Sequence, residues 1–148
     1  YLDSDNLMTF ADAIASNIFI FWISNGNDFY TSDFPIVVSP HVQNVQPKFM
    51  GLAQYGGELT FPLSPNLSLS IFDREYFKDK EYLDGNFIKA SDKEVRRHNY
   101  LRYMYAVQHV FSYKNDFSLI EFIYKIKGKH PFLSPNYKTE IISGLSRY

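Results

Sequence analysis

Two proline-bearing segments constrain this chain most: Tyr30-Thr31-Ser32-Asp33-Phe34-Pro35 and, about thirty residues later, Phe61-Pro62-Leu63-Ser64-Pro65. Each sets proline directly behind strand-type residues, and the first places a Ser-Asp pair inside an apolar run. Proline cannot donate to a sheet ladder, and aspartate is depleted from strands. Both segments therefore mark strand ends. Pro35 forces Phe34 into an extended conformation. Asp33 can brace such a turn through backbone hydrogen bonds. A carboxylate held rigidly at a strand end can equally serve as a metal ligand or general base. Asp33 is thus a candidate catalytic residue with Ser32 beside it. Ser32 lacks the Gly-x-Ser-x-Gly elbow of a triad nucleophile.

Around these segments the pattern is strands first and helices later. Asp3-Ser4-Asp5-Asn6 offers N-cap residues before apolar positions at helical spacing, so residues 5–16 read as a helix. Ile18 to Ile23 is an apolar, β-branched and aromatic run, a buried strand. Asn25-Gly26 is a strong hairpin signal, with Phe29 to Ser32 as the returning strand. Ile36 to Val38 resumes extended structure, and residues 39–57 read as a long loop. Glu58–Phe61 and Leu67–Phe72 are further strands. In the latter, Leu67, Leu69 and Ile71 alternate with Ser68, Ser70 and Phe72, so the serine face is expected to be partly wet.

Beyond Asp73 the expected elements are helical: a short one over 73–80, a long one opened by the Ser91-Asp92-Lys93-Glu94 capping box and running to about Tyr113, one over 117–126, and a last short one over 137–144. Strands followed by helices give an α+β fold: a small, mostly antiparallel sheet of about four or five strands packed by C-terminal helices. With 148 residues the chain is expected to be a single domain able to bury its own core.

On the long helix, Asn99 falls within the apolar half of the wheel. A carboxamide there either pins a neighbouring backbone or points into the site of Ser32 and Asp33. His98, Arg102 and His109 lie at the margin of that face, and Arg102 and His109 are separated by six residues, a spacing also found in some RNA-cleaving helical proteins. It sets them roughly 10 Å apart along the axis. A surface arginine and a boundary histidine are the plainer reading. The catalytic candidates are therefore Asp33 and Asn99, and the binding candidates Ser32, Arg102 and His109.

Several classes are excluded or disfavoured. With no cysteine there is no disulfide, thiolate nucleophile or cysteine-based zinc site. The four histidines show no metal-ligand spacing, so no metal is assigned, and no cofactor is implied. Gly56-Gly57 is too short for a phosphate-cradling loop. No apolar run approaches the ~20 residues of a membrane helix, so no membrane partner is expected, and a cytoplasmic location is. Charge is asymmetric: residues 1–73 hold seven acids and one base, and residues 74–148 nine acids and fourteen bases. A basic second half can attract a polyanion, or can simply solvate helices.

In order, Phe21-Trp22-Ile23, Phe29 to Val37, Leu59-Thr60-Phe61-Pro62-Leu63-Ser64-Pro65, and Asn99 ahead of Ala106 and Val110-Phe111-Ser112 resemble the C-terminal half of the DUF4238 proteins. No function is assigned to that family. The resemblance covers roughly residues 18–113. Family members also carry a His-His-x-x-Pro type segment in an N-terminal helical half, and no His-His occurs here. That implies a missing N-terminal segment, either cut away or a separate piece. Two functions are expected from these features. One is part of an intracellular hydrolase acting on nucleic acid or nucleotide phosphates, with Asp33 as ligand or base, Asn99 as orienting group and the basic half attracting anions. The other is a non-catalytic binding or structural module.

Overall fold

A computed structural model describes residues 4–42 and 54–127. The fold is α+β. Helix α1 (Ser4–Ala15) leads into β1 (Ile18–Ile23), followed by β2 (Thr31–Ser32), β3 (Val37–Pro40), β4 (Gly57–Ser64) and β5 (Leu67–Phe72). A 3-10 segment (Lys78–Leu83) precedes β6 (Asn86–Lys89), α2 (Asp92–Tyr105), β7 (Val110–Phe111) and α3 (Ser118–Lys127). Five strands form a mixed sheet in the order β3-β4-β5-β1-β6, and β2 pairs with β7 in a separate two-stranded ladder. All pairings in the large sheet are antiparallel except β1 with β6.

The six-residue apolar run of β1 sits between β5 and β6, where strands are covered on both edges. Its inward residues Ile18 and Ile20 have no exposed surface and pack with Phe72 and Phe77. Trp22 joins that cluster to a second one made by Phe29, Ala90 and Val95. Asp84 closes the connection into β6 by accepting from the Phe19 amide at 2.9 Å.

Several expected elements differ. The Asn25-Gly26 turn forms, with Gly26 at a φ of 103°, but β1 does not pair with the segment after it. Instead the Phe29 amide donates to Pro65 O at 2.7 Å, and Thr31–Ser32 leave for the small ladder with β7. β4 runs through Pro62, which faces Ser68 across an irregularity between Pro62 and Ser64. The short helix falls on 78–83 as a 3-10 segment rather than on 73–80. The strands β6 and β7 were not expected. Most of the expected 39–57 loop and the expected 137–144 helix lie outside the described residues.

The long helix begins as expected: Ser91 caps it by accepting from the Glu94 amide at 3.2 Å. Glu94 does not reach back to close the capping box, because its carboxylate holds Arg97 Nε at 3.2 Å. The helix then stops at Tyr105, well short of Tyr113. Asp33 explains the stop. Its carboxylate accepts the amides of Val107, Gln108 and His109 at 3.0, 2.7 and 3.2 Å, the donors a further helical turn would have used.

The serine face of β5 is also reversed. Ser68 and Ser70 are fully buried, whereas Leu67 and Leu69 keep partial exposure. The register places Ile18, Ile20, Trp22, Glu58, Thr60, Ser68 and Ser70 on one face, and α2 lies over it. The inner layer of this domain is therefore apolar at one end and polar at the other. Truncating the apolar end, Ile20→Ala, should cost ~2–5 kcal/mol in urea unfolding. Tyr82→Ala, at 77% exposure, should stay within about 0.5 kcal/mol. Equal losses would contradict this assignment of the core.

Candidate functional site

The polar end of the inner layer is built around Glu58, whose side chain has no exposed surface. A carboxylate so placed needs partners for both oxygens. Arg97 from α2 grips it with both terminal nitrogens, Nη1 to Oε2 at 2.7 Å and Nη2 to Oε1 at 2.6 Å. Ser70 donates to Oε1 at 3.0 Å, and His41, just beyond β3, meets Oε2 through Nε2 at 2.8 Å. Each oxygen therefore holds two hydrogen bonds. Ser70 in turn accepts from Trp22 Nε1 at 2.9 Å, which ties the cluster to the apolar core.

His98 extends the network along β5, with Nδ1 2.9 Å from Ser68 Oγ and Nε2 3.3 Å from Arg97 Nη2. Ser68 donates to Phe61 O at 3.3 Å, so its oxygen accepts from the imidazole. The proton then sits on Nδ1, and Nε2 accepts from Arg97. Arg102, one turn further along α2, is 1% exposed and donates to Thr60 Oγ1. Its Nε and Nη1 are buried without a hydrogen-bond partner.

The electrostatics follow from this packing. Burial alone would push the Glu58 carboxyl up, but hydrogen bonds from His41 and Arg97, with the Arg97 charge, outweigh it and bring the pKa to about 2. Burial first, and the nearby Arg97 second, lower His98 from 6.5 to about 3 against the pull of Glu58. Burial, with Arg97 adding to it, lowers Arg102 to about 9 against the same pull, leaving it cationic at neutral pH. The cluster is therefore one carboxylate, one neutral imidazole and two guanidinium groups, with His41 at its edge.

The residues singled out in the sequence fall in different places. Asn99 is buried and pins backbone: Oδ1 accepts from the Tyr30 amide at 2.7 Å and Nδ2 donates to Asp28 O at 2.9 Å. Asp33 is exposed and its carboxylate holds the 107–109 turn. Ser32 is buried and closes the Phe34 turn, donating to Phe34 O at 2.9 Å and accepting from Phe34 N at 3.2 Å. His109 lies in that turn, its ring stacked on Phe111 at 6.1 Å. Arg102 is a core residue, not a surface one. Asn99 lines a cavity that Asp33 does not. Among the described residues, no group of three His, Asp or Glu side chains gathers as a metal site.

Glu58, Arg97 and His41 were not singled out, and His98 only as a residue at the margin of the apolar face of the long helix. A signal existed: Glu58 is the sole acid between Asp33 and Asp73, and it lies in a strand otherwise without charge. What is missing from sequence is its pairing with Ser70 and with a helix some forty residues away.

These shifts set the acid response. An unfolded chain protonates the His98 imidazole near pH 6.5, the folded one only near pH 3, so its stabilisation is full above 6.5 and is lost as pH falls. Glu58 contributes above its ordinary 4.5 and loses that contribution between 4.5 and about 2. The urea midpoint should therefore drop from about pH 7 to about pH 5, before Glu58 takes part, and His98→Gln should remove most of that slope. A wild-type midpoint flat across this range would contradict the assignment.

Comparison with known proteins adds a family but no activity. No curated protein matches the chain, and no solved structure does. A family model described as a protein of unknown function matches residues 2–116, which includes β1 to β7, the Glu58 cluster and the Asp33 brace. The chain belongs to the DUF4238 family.

Proposed function

We propose that this domain hydrolyses phosphate esters of nucleotides or nucleic acid, with His41 as the group that moves the proton. The observation that carries the reading is the His41–Glu58 pair. The imidazole is 36% exposed, and a fully buried carboxylate holds its Nε2 at 2.8 Å. A base oriented by a fixed carboxylate is a recurring arrangement of acid–base catalysis. With Nε2–H committed to Glu58, Nδ1 is left as the acceptor. It takes a proton from water as the water oxygen attacks phosphorus. The bond to the leaving oxygen breaks, and the imidazolium returns the proton to that oxygen.

The surroundings suit an anionic, aromatic substrate. Arg97 borders His41 through their shared carboxylate. Lys80 Nζ lies 5.9 Å from the centre of the Phe77 ring, which stands perpendicular to the His41 ring with 4.9 Å between centroids. Tyr76 donates to His41 O at 3.3 Å and packs against the exposed Tyr55 at 5.3 Å. Such tyrosines are a platform on which bases stack. Asp33 and Asn99 act here as positioning residues: one ends α2 in register, the other fixes the chain before β2.

A second reading also has an observation behind it. Four hydrogen bonds from other elements of the fold fill both oxygens of the Glu58 carboxylate, as in a structural staple. One experiment separates the two. The purified chain is assayed with bis(p-nitrophenyl) phosphate, nucleotides and single-stranded RNA and DNA, with and without divalent cations. His41→Gln should lower hydrolysis by about 10²–10⁴ with little change in melting temperature. Undiminished turnover in that variant, or no turnover by the wild type on any substrate, would leave the staple.

A further inference from the structure

The five-stranded sheet covers its polar side and turns its apolar side outward. Glu58, Thr60, Ser68 and Ser70 are buried on the face beneath α2, so the pleat aims the alternate residues of the same strands the other way. Cross-strand pairing aligns those residues in ranks. Val38, Leu59, Ile71 and Phe19 form one, and Phe61, Leu69, Phe21 and Phe87 the next. Both ranks are wholly apolar. Phe19, Phe21, Leu59, Phe61 and Leu69 keep partial exposure although strands flank them on both sides. At the β6 edge Phe87 stacks on Phe21 at 4.7 Å and is 62% exposed.

Among the described residues, no helix lies over this face. α2 packs on the opposite side and α3 packs on α2. The 3-10 segment joins the inner cluster through Leu83. α1 does not fold back across the sheet: of its described side chains only Ala13 and Ile14 are partly buried. The face is also without charge. β1, β4 and β5 present no ionic side chain on it, and Lys89 stands only on the edge strand.

Its size and chemistry indicate the occupant. Five strands span roughly 24 Å and the six residues of β1 about 20 Å, so the face measures about 500 Å². A monomer rarely exposes so large a contiguous apolar patch. Two such faces together lose about 1,000 Å², the size at which specific interfaces begin. An uncharged face offers nothing to a polyanion or an ionic peptide, and meets its own copy without repulsion. We infer that the outer face of the sheet is an isologous interface between two copies of this chain, packed sheet on sheet about 10 Å apart around a two-fold axis. The inference does not rest on the hydrolase reading, since Glu58 lies on the other face of the sheet.

The test is sedimentation equilibrium of the whole chain at micromolar concentration, with nitrogen-15 amide spectra to establish that each variant is folded. The wild type should have the mass of two chains. Leu69→Lys, which sets a charge at the centre of the face, should raise the dissociation constant about tenfold or more. Phe87→Lys changes an edge side chain already largely in water, and decides the matter if Leu69→Lys does not fold. Phe122→Lys, on exposed α3 behind α2, should leave the mass unchanged. A monomeric wild type, whose outer face would then await a different occupant, would overturn the inference. So would open-ended association, a dimer undiminished in the folded face variants, or an equal loss with Phe122→Lys.

Discussion

A carboxylate stripped of water must be matched atom for atom, and the arrangement of this domain follows from how Glu58 is matched. Removing a charge from water costs several kcal/mol unless hydrogen bonds and an opposite charge replace the solvent. Glu58 obtains these from three separate parts of the chain: Ser70 on the neighbouring strand, His41 after β3, and Arg97 on α2. Each partner reaches it only if β4, β5 and α2 hold their register. Such a cluster adds little net stability compared with an apolar core of equal volume, but a misplaced partner leaves a buried charge unmatched. Its contribution is to make one arrangement of helix over sheet preferable to its neighbours.

The remaining braces serve that arrangement at longer range. Asp33 takes the amides that would have prolonged α2, and so sets where the helix ends and where β7 begins. Asn99 ties the middle of α2 to the segment ahead of β2. Ser91 fixes the start of the helix and Trp22 links the polar end of the inner layer to the apolar one. Between these fixed points lies the half-exposed imidazole of His41, the group from which acid–base chemistry is proposed.

How much of this was legible depends on distance along the chain. Ile18 to Ile23 declares a buried strand because six consecutive apolar residues, β-branched and aromatic, are too few for a helix and suit a sheet covered on its faces. The Ser91 cap is legible because its partner is three residues away. The β5 serines were misplaced because alternation gives a period, not a direction. Which face is inside was decided by Glu58 on the next strand and by His98 thirty residues on. The end of α2 was hidden for the same reason, its cause being a carboxylate more than seventy residues earlier. The short strands β6 and β7 carry too few residues to show a period, and exist because β1 and β2 offer open edges. Of the candidate residues, Asn99 and Asp33 stood out as polar groups in apolar surroundings. That signal reports a demanding environment and does not distinguish a brace from a reacting group.

The ionisation of Glu58 is the claim on which this account turns, and carbon-13 NMR of its side-chain carboxyl during acid titration measures it most directly. The folded protein should keep that carboxyl charged from neutral pH down to the onset of acid unfolding, with no midpoint until about 2. A midpoint at or above the ordinary 4.5, observed while the amide spectrum remains that of the folded chain, would contradict it.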